Sequence, residues 1–367
     1  MSAILSAKFH QSSIKDPAHW TRGELDADRS WDIRLSNDQV DDLCMGLEFL
    51  RSLEIAEIDA AKFPLKCCQD LIEGIRRELI SGRGFVLLRG FPVEGYGRED
   101  IARMYWGFCA HLGTGVTQNG DGGLIHYVTE GRLRPNQGTR GVGNPERVSL
   151  HVDLADVVSL LCVRQAADSP RSQLVSALTI HDVLAERAPT ALERLYQGFA
   201  WDRQNEHAET ELPTTGYRVP VFSQAGDVIS GRYNRNWITR AANRADGLSE
   251  DEEAIFNLVD DIAQENSLTF DFRPGDVQFA NNYVCWHGRE SHQPAQSEDD
   301  TRVLMRIWLN LVGIRDFADE AVVRHGILRH GKLGWSAADV KAGLEGRVHP
   351  RRAEDLAPLV EAPFRDG

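Results

Sequence analysis

A histidine and a carboxylate stand two positions apart in Val148-Ser-Leu-His151-Val-Asp153-Leu154. The run reads as a strand, where side chains alternate between faces, so His151 and Asp153 project to the same side. An imidazole and a carboxylate so placed can bind one metal ion together. With a third ligand from elsewhere they make the two-histidine, one-carboxylate facial triad, which suits non-haem Fe(II) because it leaves adjacent coordination positions open. The spacing alone discriminates weakly: composition predicts roughly two His-x-Asp/Glu pairs, and the 12 histidines of the chain provide two. The other pair, His207-Ala-Glu209, lies in the polar run Asp202-Arg-Gln-Asn-Glu-His-Ala-Glu-Thr-Glu-Leu212, which reads as a solvated loop. His151 instead is flanked by apolar residues and followed by a second strand pattern, which favours it.

His287, in Asn281-Asn-Tyr-Val-Cys-Trp-His-Gly-Arg289, is the candidate third ligand, far enough downstream for a late strand to return beside an early one. The competing reading is a buried histidine hydrogen-bonded to a carbonyl. The run Arg302-Val-Leu-Met-Arg306-Ile-Trp-Leu-Asn-Leu311 bears on the choice. In a strand, positions 302, 304 and 306 share a face, so two guanidinium groups point the same way from an apolar segment. Buried arginines are rare unless paired. With no acid in the strand itself, they either bind carboxylates on ligands, which the planar fork grips bidentately, or pair with acids from other strands.

The elements that must position these groups follow from the patterning. Residues 148–154, 157–164, 172–176, 268–272, 277–279 and 302–311 read as strands, as does Gly84-Phe-Val-Leu-Leu-Arg-Gly90, an apolar run bounded by glycine. Residues 218–222 and 228–233 suggest a strand pair around Gln224-Ala-Gly-Asp227. Helical spacing marks residues 16–60 (Val40, Leu43, Leu47, Leu50), then 63–81 and 179–188. Ser249-Glu-Asp-Glu-Glu253 reads as an N-cap serine with an acidic first turn, opening a helix to Asn266. Short strands interrupted by a few helices, without βαβ alternation, predict an α+β fold whose core is a double-stranded β-helix, or jelly roll, with flanking and inserted helices. Residues 1–60 are expected as an N-terminal helical segment, 61–313 as the jelly-roll domain with an inserted helical and loop region at 185–266, and 314–367 as a C-terminal appendage. The polar connection 114–147 is expected to border the site, since long polar connections in compact domains are kept mainly for function.

Composition excludes several classes. Of 367 residues, 42% are hydrophobic and 26% charged, ordinary for a globular protein with a substantial core. The net charge of −14 repels phosphate backbones and anionic lipid, so nucleic acid and membrane are not expected partners; a small molecule is. Six cysteines without a C-x-x-C pair are too sparse for a disulfide scaffold and point to a reducing compartment. With no long apolar stretch, the expected location is the cytoplasm. Gly113-Thr-Gly115 and Gly141-Val-Gly143 do not complete a dinucleotide fingerprint and read as turns; there is neither a P-loop nor a G-x-S-x-G elbow.

Taken in order, the motifs resemble the taurine dioxygenase (TauD/TfdA) family of Fe(II)- and 2-oxoglutarate-dependent oxygenases over residues 61–313. They are Gly82-Arg-Gly-Phe-Val-Leu-Leu-Arg-Gly-Phe-Pro92, Ser149-Leu-His-Val-Asp-Leu-Ala-Asp-Val-Val158, Pro274-Gly-Asp-Val-Gln-Phe-Ala-Asn-Asn282, His287-Gly-Arg289 and Arg302-x-Leu-x-Arg-x-Trp-Leu309. The resemblance implies that His151, Asp153 and His287 ligate iron. It implies that Arg302 grips the distal carboxylate of 2-oxoglutarate with help from Ser172. Arg306 then faces an anionic group of the substrate, and Gln118 and Asn119 line the substrate side. The chain departs from the family at Pro170-Arg171, where relatives usually carry Gly-Gly, and at Arg289-Glu-Ser-His292, where they usually read Arg-Thr-Ala-Phe. The implied reaction consumes O2, releases succinate and CO2, and hydroxylates a C–H bond of a small anionic or amino-acid-like molecule. Asp153 removes the coordination site that halide transfer would need. The resemblance also admits a homo-oligomer. Two other readings remain: a non-oxygenase jelly-roll metal protein (sensor or isomerase) with the same triad, and a scaffold that has lost turnover.

Overall fold

The computed structural model describes residues 14–130, 144–205, 207, 212–215, 218–317 and 333–342. In chain order the strands are β1 (Asp32–Arg34), β2 (Phe85–Arg89), β3 (Thr114–Val116), β4 (Ile125–Thr129), β5 (Val148–His151), β6 (Val157–Arg164), β7 (Ser172–Ser176), β8 (Phe222–Ala225), β9 (Val228–Gly231), β10 (Leu268–Phe270), β11 (Val277–Asn281), β12 (Cys285–Arg289) and β13 (Val303–Asn310). A large sheet runs β1-β2-β11-β6-β13-β3, with β4 also paired to β13, and a smaller one runs β10-β7-β12-β5. Every pairing in the two sheets is antiparallel except β1 with β2. Such an order, with early and late strands interleaved, is what long-range antiparallel pairing produces, and it returns β12 to β5 and β13 to β6.

The helices cover this framework. They are α1 (Arg22–Ala27), α2 (Asn37–Leu50), α3 (Gln69–Ser81), α4 (Arg98–Leu112), α5 (Ala177–Arg187), α6 (Pro189–Gln197), α7 (Arg235–Ala242), α8 (Glu250–Glu265) and α9 (Ala337–Ala342). Ser36 with Gln39, and Ser249 with Glu252, form reciprocal capping boxes that satisfy backbone N–H groups left open at the starts of α2 and α8. The α3 helix packs on β2 and β11, α4 on β3 and β13, and α8 on β5. One continuous apolar cluster joins both sheets and these helices. No helix of the described residues is long and apolar enough to cross a membrane.

Four local readings shift. Residues 16–60 read as helices alone, yet they also supply β1, and Trp31 beside it packs on Phe85 at 5.6 Å and Phe270 at 6.3 Å between ring centroids. The helix expected over 63–81 starts at Gln69, because Pro64 offers no N–H and the Cys67 N–H is committed to Asp42 Oδ2 at 2.7 Å. The strand expected over 148–154 ends at His151. Beyond it the Val152 N–H donates to the Tyr233 carbonyl at 2.9 Å and the Asp153 N–H to Asn282 Oδ1 at 3.1 Å, so neither joins a ladder. The β8–β9 hairpin is shorter and tighter than expected: Gly226, at φ 59°, lets the strands meet across a two-residue turn. In the C-terminal region, the Trp335 carbonyl accepts from Thr117 N–H at 2.8 Å, which seats residues 333–336 against the end of β3. Gly141-Val-Gly143 and Glu209 lie outside the described residues.

Candidate active site

The antiparallel pairing of β5 with β12 sets His151 opposite His287, with ring centroids 4.4 Å apart. Gly288 permits this approach: a Cβ there would come within 2.6 Å of the Val148 carbonyl. Asp153 enters from the turn after β5. One ligand-type atom from each of His151, Asp153 and His287 falls within 4.8 Å of the others. Asp153 therefore shares the site with His151 because the turn is held by Tyr233 and Asn282, and not through strand alternation.

The protonation states suit metal binding. The His151 Nδ1 lies 2.8 Å from the Ser149 carbonyl, which fixes the proton on Nδ1 and leaves the Nε2 lone pair free to coordinate. Burial, then the neighbouring His151, push the His287 imidazole down to about 3, so it is neutral at ordinary pH. Burial by itself would raise the Asp153 carboxyl. The Arg306 guanidinium, followed by His287 and His151, outweighs it and holds the group well below the usual carboxylate range. A neutral His287 imidazole and an ionised Asp153 carboxylate are donor states that a divalent ion requires.

Arg306 of β13 and Arg302, just before that strand, meet different fates. Arg306 Nη1 donates to both Asp153 oxygens at 3.2 Å, its Nε donates to Gln118 Oε1 at 2.7 Å, and Trp308 Nε1 donates to Asp153 Oδ2 at 3.0 Å. Arg306 is thus neutralised by an acid from another element. Arg302 is buried as well, and its Nε donates to Gln165 Oε1 at 2.8 Å. Among the described residues no carboxylate forms an ion pair with it. Burial lowers its pKa to about 10, the mark of a charge held where water cannot solvate it.

A cavity of about 690 Å³ opens over these groups, and His151, Asp153, His287, Arg302, Arg306 and Ser172 all lie on its wall. Gln118 and Asn119 do not. Gln118 braces Arg306 from behind, its Nε2 donating to the Arg306 carbonyl at 2.7 Å and the Leu124 carbonyl at 3.0 Å. Asn119 Oδ1 accepts from the Gly123 N–H at 2.8 Å and closes a turn. Within the polar connection, Gln118 and Asn119 thus brace and turn outside the cavity, whereas Val128, Asn144, Glu146 and Arg147 lie on its wall, so the connection borders the site. Several wall residues escaped the sequence reading. Gln278 interrupts an apolar strand and Arg289 has the same parity as His287, so both carried a signal. Arg147 lies in the polar connection expected to border the site, whereas Gln204 and the first turns of α7, from Asn234 to Arg240, carry no local signal, because their place depends on packing alone.

Two sheets covered by helices, and a cavity holding a His/Asp/His cluster beside a buried arginine with no carboxylate partner among the described residues, are the frame of a metal-dependent enzyme. A profile of the taurine catabolism dioxygenase TauD, TfdA family matches residues 53–308, and the chain belongs to that family. It is an Fe(II)- and 2-oxoglutarate-dependent dioxygenase that uses O2. It is 28% identical to FR-33289 synthase of Streptomyces rubellomurinus over 81% of this chain and 90% of that one. It is 25% identical to the taurine hydroxylase-like protein SAT17 of Stachybotrys chartarum over 77% and 83%. Among solved structures, asparagine oxygenase with Fe(II), (2S,3S)-3-hydroxyasparagine and succinate aligns with TM-score 0.59 at 18% identity, covering 76% of this chain and 93% of the other. The non-heme iron oxygenase OrfP with Fe and alpha-ketoglutaric acid aligns with TM-score 0.57 at 16% identity, covering 76% and 94%.

Proposed function

We propose that the chain hydroxylates a C–H bond of a small anionic or amino-acid-like molecule, with His151, Asp153 and His287 as the iron ligands and Arg302 and Ser172 as the holders of 2-oxoglutarate. The observation that carries this reading is the pairing of the converged donor set with a buried guanidinium that has no carboxylate of its own among the described residues. When bound, Fe(II), 2-oxoglutarate and O2 supply oxidative decarboxylation to succinate and CO2 together with hydroxylation of the substrate.

The chain's own residues prepare that chemistry. Arg306 and Trp308 pin the Asp153 carboxylate by three hydrogen bonds, so it stays ionised and oriented while buried. The Ser149 carbonyl sets the His151 tautomer. Arg302 offers a cationic fork to the far carboxylate, and Ser172 adds a hydroxyl from the facing sheet. Cavity-lining Leu160 and Leu304 keep the floor apolar, which strengthens those charged contacts.

The substrate assignment rests on charge. Six arginines (147, 235, 240, 289, 302 and 306) line the cavity of a chain whose net charge is −14, against the acids Glu146 and Asp153. Such a cavity draws anions. Because Arg306 is taken by Asp153, the substrate's anion is assigned to the mouth arginines, Arg147 and Arg240. Asparagine oxygenase, and OrfP with L-Arg bound, support an amino-acid-like substrate by analogy. The two sheets are read as the double-stranded β-helix, formed within residues 61–313, and the six unpaired thiols support a reducing, cytoplasmic setting. The test is a succinate-release screen over small acids and amino acids with Fe(II) and 2-oxoglutarate. Under anaerobic conditions the two should produce a weak visible charge-transfer band, and loss of both signals would refute the reading.

A further inference from the structure

Gln278 sits at the second position of β11, between Val277 and Phe279, and is only 2% exposed. The residue lies on the cavity wall, yet its Nε2 is buried without a hydrogen-bond partner among the described residues. A buried amide without a partner destabilises a fold relative to an apolar side chain of the same shape. Strand neighbours at this level of the floor are leucines: Leu87 on β2 and Leu160 on β6 stand opposite Gln278 in register. A leucine would therefore suit the fold better at this position, and a buried amide donor without a partner on a residue of the cavity wall calls for an acceptor brought by a ligand.

Position indicates which ligand. Leu160 is opposite Gln278 on one side and Arg306 on the other, so Gln278, Leu160 and Arg306 form one cross-strand row on the cavity face, with Arg302 further along the β13 edge. This floor is built from strands, with Ser172 facing it from the smaller sheet. The substrate-side wall comes from other elements, α7 and the segment leading into β5. 2-Oxoglutarate carries only acceptor oxygens, and the floor offers donors to match them: a guanidinium, a hydroxyl and this amide N–H. Building on the function proposed above, we propose that Gln278 is a cosubstrate-binding residue whose Nε2–H donates to an oxygen of bound 2-oxoglutarate.

The experiment titrates 2-oxoglutarate into the anaerobic Fe(II)-loaded protein, following the charge-transfer band and the heat of binding, for wild type, Gln278→Leu and Gln278→Glu. The leucine variant should bind about tenfold more weakly, as expected for losing a hydrogen bond to a charged group, and the glutamate variant more weakly still through like-charge repulsion. Fe(II) affinity measured without 2-oxoglutarate should be unchanged. The ligand-free leucine variant should melt at the same temperature as wild type or higher, because an unpaired buried amide has been removed. Gln278→Met, of similar length, takes its place if leucine does not fold. Wild-type affinity for 2-oxoglutarate in a folded leucine or methionine variant overturns this assignment and leaves the proposed function standing. A wild-type protein that binds no 2-oxoglutarate overturns both.

Discussion

The floor and the mouth of the cavity are built differently. Leu160, Gln278, Leu304 and the adjoining Arg302 belong to a continuous ladder, where each backbone is fixed by strands on both sides. The mouth is made of α7 and the loops before it, and its polar side chains are held by one another. Arg235 bonds Asp260 and Glu253, each at 2.7 Å. Arg240 reaches Gln204 Oε1 at 3.0 Å, while fully buried Asp202 accepts from Gln204 Nε2 at 2.9 Å and from Arg244 at 2.5 Å. Gln204 and Asn205 sit at φ 57° and 61°, a conformation that non-glycine residues adopt only when their surroundings enforce it. On the proposed function, the rigid frame holds the reactants common to the family, and the irregular, mutually braced wall is left to recognise what is particular to this chain.

The largest effect expected from breaking this division is at the metal. Asp153→Ala should reduce Fe(II) affinity and succinate release by more than about a hundredfold, since ligand loss exceeds the roughly 10–100-fold typical of removing a group that merely orients a ligand. The same change strands the Arg306 guanidinium and the Trp308 N–H, so urea unfolding should show a loss of about 3–5 kcal/mol. Asp153→Asn, which keeps an oxygen toward Arg306, should lose iron with a smaller loss of stability. Next is Arg302→Ala, which should weaken 2-oxoglutarate binding by about 2–5 kcal/mol. It should leave stability equal or higher, because Arg302 has no carboxylate to abandon among the described residues. Arg306→Ala should instead destabilise. Two arginines four residues apart, one in β13 and one just before it, would then respond with opposite sign in the melt, and equal responses would contradict the neutralisation of Arg306 by Asp153.

At the mouth, Arg240→Gln should raise the prime-substrate KM by up to about tenfold through loss of a half-exposed charge, with 2-oxoglutarate affinity unchanged. Succinate-release kinetics with each reactant varied in turn separates the two. If Arg240→Gln weakened both reactants equally, floor and mouth would not be independent.

What sequence patterning can reveal follows the same division. The apolar runs of β6, β7 and β13 and the His-x-Asp pair are local signals with a period, and they put the floor and its ligands in view. The pairing of Arg306 with Asp153 is not legible in β13, because its acid arrives from a turn more than 150 positions away. Gln118 and Asn119, which the resemblance implies on the substrate side, stand off the cavity wall, and polarity in a loop does not distinguish a side chain that faces a cavity from one that closes a turn. The three residues of β1 are too few to show alternation. The mouth was invisible for a physical reason: α7 is an amphipathic helix like any other, and only its docking turns Trp237 and Arg240 towards the cavity.

The smallest expected effect tests whether the mouth's backbone conformation matters in its own right. Asn205 lies in the left-handed region, where asparagine is tolerated and alanine costs about 1–2 kcal/mol. Its Oδ1 also accepts from Arg244 Nη2 at 3.2 Å, an exposed contact of small value. Asn205→Gly should therefore cost only a few tenths of a kcal/mol, and Asn205→Ala about 1–2 kcal/mol, as read by urea unfolding. Because the 202–205 turn holds Gln204 against Arg240, the alanine variant should also raise the prime-substrate KM by a few-fold while the 2-oxoglutarate titration stays on the wild-type curve. An alanine variant as stable as the glycine one would mean that the surrounding packing does not enforce the strained turn, and the contrast between a fixed floor and a braced mouth would lose its backbone half.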